Sequence, residues 1–195
     1  MRPMMSFQAR KRLADDHTAL DEVLKELRAA LKSGDLEAVH SLSDLFWARL
    51  AVHIRAEHLQ LFPAIIDGFC KATSSLAGAP TLREAQSMIT SLREDHNRFM
   101  FELARAIYLV RQAPAVTSSD ERNEKLALVG DLIRDVEKEL AAHNKIEEDG
   151  IYNWIRIVLS DQQQAELATR INDELTNRPP RFSQTTWVRQ WPAVP

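Results

Sequence analysis

An all-α fold, an antiparallel up-down four-helix bundle with an extra short C-terminal helix and an irregular tail, is what the 195-residue sequence predicts. Apolar residues recur at the three-four spacing of a single helix face along four long segments, and the connections between those segments are short. Glycine is scarce, five in the whole chain, well under the ~7% of average usage. No run alternates in the two-residue period of a strand.

The elements follow in order. The first helix spans about Phe7 to Leu31, with the stripe Leu13, Leu20, Leu24, Leu27 and Leu31, and stops at Lys32-Ser33-Gly34. A second runs from Asp35 to about Lys71 on Leu42, Phe46, Leu50 and Leu61, with a kink or break expected at the internal Pro63. Thr73 through Pro80 reads as a loop. The third helix opens near Pro80 and reaches Gln112 on Ala85, Ile89, Leu92, Phe99, Leu103, Ile107 and Val110. Thr117 to Asp120 supplies a cap for the fourth, which carries Leu126, Val129, Ile133, Val136 and Leu140 and is open to interruption at Gly150. A last helix starts at Ser160-Asp161 and ends near Thr176. The bundle is expected over 7–158, and 159–195 as a C-terminal helix and tail packed on it, the tail holding four of the eight prolines together with Trp187 and Trp191.

Composition removes several functions. A single cysteine, Cys70, excludes an internal disulfide, a CxxC pair and any multi-cysteine zinc or iron–sulfur site; near the end of the second helix it reads as structural. No glycine-rich phosphate cradle occurs. A net charge of −3 speaks against nucleic acid as a partner. No apolar run approaches the ~20 residues of a membrane helix, and no secretory pattern opens the chain. The expected location is therefore cytoplasmic, with no membrane partner.

The chemistry lies where the stripes are interrupted. Phased by their apolar neighbours, the four long helices each place one histidine in the core-facing seam: His17, His53, His96 and His143. Two of these are followed one turn later, on the same face, by a glutamate, Glu57 after His53 and Glu147 after His143. An ionised carboxylate in a bundle core costs several kcal/mol unless it is paired or holds a metal. No lysine or arginine shares these seams. Four imidazoles and two carboxylates exceed the needs of one tetrahedral zinc. Two metals with two histidines each and both carboxylates bridging use the whole set, and such donors suit iron or manganese, with zinc also able to bind.

A lone seam histidine is usually an ordinary core residue, but one in every seam is not an ordinary pattern. The other two stand apart, His40 on the surface and His58 at the flank of the site. Asp16, Asp95 and Glu148, next to ligands in sequence, point ~100° away on their own helices, so solvated surface is expected for them. Tyr108 and Tyr152 fall outside the seams, and no redox tyrosine is expected.

His17, the run His53-Ile54-Arg55-Ala56-Glu57-His58-Leu59-Gln60-Leu61-Phe62-Pro63, the Glu94-Asp95-His96 step and His143-Asn144-Lys145-Ile146-Glu147 together resemble the hemerythrin-like, HHE cation-binding domain over roughly residues 10–155. The resemblance implies an antiparallel four-helix bundle around a non-haem di-iron centre with oxo or hydroxo and carboxylate bridges. On it His17, His53, His96 and His143 are terminal ligands and Glu57 and Glu147 bridges, with the division of histidines between the irons open. One turn either side of His96 stand Leu92 and Met100, and the fourth helix reads HxxxE. Both features differ from the oxygen carriers, which have a second histidine on helix 3 and HxxxxD on helix 4. They are similar to the branch with four histidines and two bridging glutamates, which includes proteins of nitrosative stress, iron-centre repair and peroxide handling.

The expected function is thus a di-iron protein that binds or turns over O2, NO or peroxide, in oxidative or nitrosative stress or iron homeostasis. The alternative is a di-iron sensor or interaction module signalling through a partner surface, for which the Trp187 to Trp191 tail is the feature to watch; otherwise that tail is a strap on the bundle or a homodimer contact. A ferritin-like oxidase needs Glu-x-x-His on two helices, and only Glu37-Ala38-Val39-His40 occurs.

Overall fold

Helix α1, Phe7–Ser33, buries Leu13, Leu20, Leu24 and Leu27 and ends where Gly34 turns to φ +72°, a conformation glycine adopts without a Cβ penalty. The Asp35 N–H closes back on the Ala30 carbonyl at 3.2 Å. The Asp35 carboxylate then accepts the Ala38 N–H at 3.0 Å and caps α2, Leu36–Ala56. The computed structural model describes residues 7–72, 78–115 and 118–178. Expectations for most of the loop after Lys71, for Thr117 and for the tail with Trp187 and Trp191 lie outside those residues.

Where the sequence predicts a break at Pro63, the α-helix changes pitch one turn earlier. Residues Glu57–Leu61 form a π-helical turn, closed by the Phe62 N–H on the Glu57 carbonyl, and α3, Phe62–Lys71, follows with Pro63 in its first turn. Proline lacks the N–H for the Leu59 carbonyl and crowds it; a wider turn upstream removes that demand. The same device recurs in the other half of the chain. Helix α5, Ser119–Ile146, runs into a π-turn over Glu147–Ile151 and then α6, Tyr152–Val158, so the interruption expected at Gly150 is a change of pitch.

Between the halves lies α4, Leu82–Gln112. It opens two residues after Pro80 because Thr81 and Glu84 form a reciprocal capping box, with the Thr81 N–H donating to Glu84 at 2.8 Å. Ser118 caps α5. The last helix, α7, Asp161–Thr176, opens on a second capping box between Ser160 and Gln163.

Helices α1, α2, α4 and α5 each pack on the next, α5 closes back against α1, and α7 lies across α1 and α2. Two apolar clusters fill the interior. One gathers Leu13, Leu61, Phe62, Ile65, Ile89, Ile155 and Ile171 toward α3, α6 and α7. The other gathers Leu20, Leu27, Phe46, Leu50, Phe99, Ile133 and Leu140 at the opposite end. The polar seam residues form a layer between them. No described helix is long and apolar enough to cross a membrane.

Candidate metal centre

The phasing by apolar neighbours that set His17, His53, His96 and His143 into their seams holds in space: all four are buried, and Glu57 and Glu147 are fully inaccessible. Each glutamate stands at the α-to-π junction, one turn past its histidine, a place where π-turns are found at functional sites.

The histidines meet in two pairs. His17 Nε2 lies 3.0 Å from His53 Nε2, and His96 Nε2 lies 2.8 Å from His143 Nε2. The carboxylates span the pairs. Glu57 sets Oε1 3.4 Å from His53 Nε2 and Oε2 3.4 Å from His96 Nε2. Glu147 sets Oε2 3.5 Å from His17 Nε2 and Oε1 3.1 Å from His143 Nε2. Two groups with metal-ligand spacing result: His17, His53, Glu57 and Glu147, and His96, His143 and Glu147. His40 stands away from both, 3.2 Å from Arg111 Nε, and Cys70 is exposed rather than packed into the interior.

The outward nitrogens fix the tautomers. His17 Nδ1 is 2.8 Å from Glu148, His53 Nδ1 3.1 Å from Asp16, and His143 Nδ1 3.2 Å from Asp95. Carboxylates only accept, so each Nδ1 carries the hydrogen and each Nε2 turns its lone pair inward. His96 Nδ1 has the same arrangement with a different partner, His58 Nε2, at 2.9 Å. The expectation of solvated surface for Asp16, Asp95 and Glu148 is therefore corrected: each points away from its own seam but reaches the histidine of the adjacent helix. Arg49 Nη2, 3.3 Å from Asp16 Oδ1, holds that carboxylate in turn.

A second correction concerns Tyr152. It is buried, with its hydroxyl donating to Glu57 Oε1 at 2.8 Å and lying 3.3 Å from His17 Nε2. Counting the seam at 3.6 residues per turn misplaces it, because the π-turn brings residue i+5 from Glu147 under the carboxylate. Gly150 within a strongly periodic helix is the one sequence signal of that change.

Electrostatics explain what the donor set requires. Glu57 Oε2 and Glu147 Oε1 are buried and accept no hydrogen bond among the described residues; the atoms facing them are imidazole nitrogens. Lone pairs that confront one another at about 3 Å in a dry layer need a cation between them. Without a metal, the surrounding carboxylates favour a proton on one histidine of each pair instead. Burial opposes charge on His53, but Glu57 and Asp16 outweigh it and raise its pKa to about 10. Burial likewise opposes charge on His143, and Glu147 and Asp95 raise it, while burial drives His96 down to about 3. Glu147 is held near 2, burial notwithstanding, by His143 and His17. Burial and the two carboxylates push the Tyr152 phenol well above its usual range. A first-row metal ~2.1 Å from two donors at a right angle holds them ~3.0 Å apart, which is the spacing of both histidine pairs. The residues fit a metal.

Compared with known proteins, the chain matches the profile of the family described as Hemerythrin HHE cation binding domain over residues 8–155. No curated protein and no solved structure gives a match.

Proposed function

Because the chain belongs to the hemerythrin HHE cation-binding domain family, we propose that it is a non-haem di-iron protein that binds or turns over O2, NO or peroxide. The supporting observation is the pair of buried carboxylates, each with one oxygen on either histidine pair. In this reading His17 and His53 would hold one iron and His96 and His143 the other, with Glu57 and Glu147 the carboxylates available to both. Nitrogen and carboxylate donors without thiolate suit iron, with manganese or zinc as substitutes. Two irons so held would supply two electrons to a small oxidant.

The chain's own residues decide what can reach them. All six ligands are buried, so access is restricted to species of a few atoms. Leu20, Phe46, Leu50, Phe99 and Leu140 wall one side and Leu92 the other, which excludes bulk water and tunes the potential. Phe99 stands edge-on to both His96 and His143, with ring centroids 6.5 and 5.2 Å away. Asp16, Glu148 and Asp95 keep their imidazoles oriented and increase their basicity toward the metal. A role in oxidative or nitrosative stress or in iron homeostasis follows from such reactivity.

Iron-loaded protein is expected to consume peroxide or NO, and the variants Glu57→Ala and Glu147→Ala to lose both bound iron and that consumption. Inertness toward both reagents, combined with stable O2 binding, would remove the redox reading.

A further inference from the structure

The two halves of the centre repeat one another. His53, Glu57 and a π-turn lead to Phe62; His143, Glu147 and a π-turn lead to Tyr152. In both halves the π-turn returns the fifth residue after the glutamate to the centre as a buried aromatic ring. Phe62 lies nearly parallel to His96, centroids 6.2 Å apart and planes 15° apart. Tyr152 lies nearly parallel to His17, centroids 5.8 Å apart and planes 24° apart. The two positions differ by one hydroxyl.

Among the described residues that hydroxyl has polar partners only within the centre: Glu57 Oε1 at 2.8 Å, His17 Nε2 at 3.3 Å and Glu147 Oε2 at 3.5 Å. These three atoms belong to one of the two candidate ligand groups, the one that includes His53. We propose that the Tyr152 oxygen is a further protein donor to the cation held by His17 and His53, so that the two metal positions are inequivalent in ligation. This rests on the di-metal reading above. A phenol serving only to donate a hydrogen bond to Glu57 needs to approach one acceptor. Tyr152 instead keeps three donors of one group 2.8–3.5 Å from its oxygen, a spread that brackets the ~3.0 Å edge of a coordination polyhedron. Coordination would release the phenol proton to solvent as the metal enters. On the other side, Phe62 offers His96 and His143 no such oxygen.

Ferric protein provides the test, because phenolate bound to ferric iron has a visible charge-transfer band whose resonance Raman spectrum shows tyrosinate ring modes. The full chain loaded with iron and oxidised should show that band, and Tyr152→Phe should lose it while still binding two irons. Phenylalanine already occupies the equivalent place at Phe62, so the variant has a precedent for folding. The double exchange Tyr152→Phe with Phe62→Tyr should restore the tyrosinate modes from the other side. Two irons per chain without tyrosinate modes in the unaltered protein would overturn the proposal and leave the di-metal reading intact, with Tyr152 a hydrogen-bond donor to Glu57. A chain that takes up no iron at all overturns both.

Discussion

Each of the four buried imidazoles is aimed by a side chain from a neighbouring helix, never from its own: Asp16 of α1 serves His53 of α2, and Asp95 of α4 serves His143 of α5. Replacing Asp95 by alanine should therefore lower metal affinity ~10–100-fold while leaving the fold intact, as read by competition with a chelator; undiminished affinity would contradict the role. The proton that stands in for a metal gives a pH prediction with a definite sign. His53 is raised from 6.5 to about 10, so its contribution to stability is complete below pH 6.5 and is lost as pH rises through about 10. The thermal midpoint of metal-free protein should thus decline over that window. Metal affinity should rise over the same window as protons cease to compete, and thermal melts of both forms across pH would expose parallel slopes if this were wrong. At this scale the sequence revealed all six seam residues, because each had to displace an apolar neighbour from a regular stripe. It did not reveal Asp16, Asp95 and Glu148, since a helical wheel describes one helix and their partners lie on another.

The elements were legible where periodicity and capping agree. Gly34, Asp35, Ser118 and Ser160 set helix ends within a residue or two of expectation. The π-turns were not legible, because a five-residue turn leaves the apolar stripe nearly continuous while shifting everything beyond it, which is how Tyr152 was misplaced. These turns also create a demanding contact, α3 against α6. A Cβ on Gly68 would stand 2.7 Å from Val158 Cγ2 and 2.8 Å from its carbonyl oxygen, and a backbone atom yields little. Gly68→Ala should destabilise the protein by about 1–3 kcal/mol through overpacking. Chemical denaturation measures this, and a neutral result would show that the two short helices part without cost.

Across the whole molecule the polar layer divides the core, and each apolar cluster supports it from one end. Helix α7 completes the cluster nearer α3 and α6, with Leu167 and Ile171 fully buried against it. Ile171→Ala should cost about 2–5 kcal/mol by opening a cavity, measured by denaturant titration; a change within error would mean α7 contributes little to the bundle. The expected bundle over four long helices is what the chain forms, and it brings six residues from four segments, His17 to Glu147, into one buried layer. The central claim is that this layer holds two irons. Metal analysis of protein purified from iron-fed cells, together with its oxidised absorption spectrum, tests it most directly. Two irons per chain with oxo-bridge charge-transfer bands is the predicted result, and one metal or fewer per chain, or zinc alone, would contradict it.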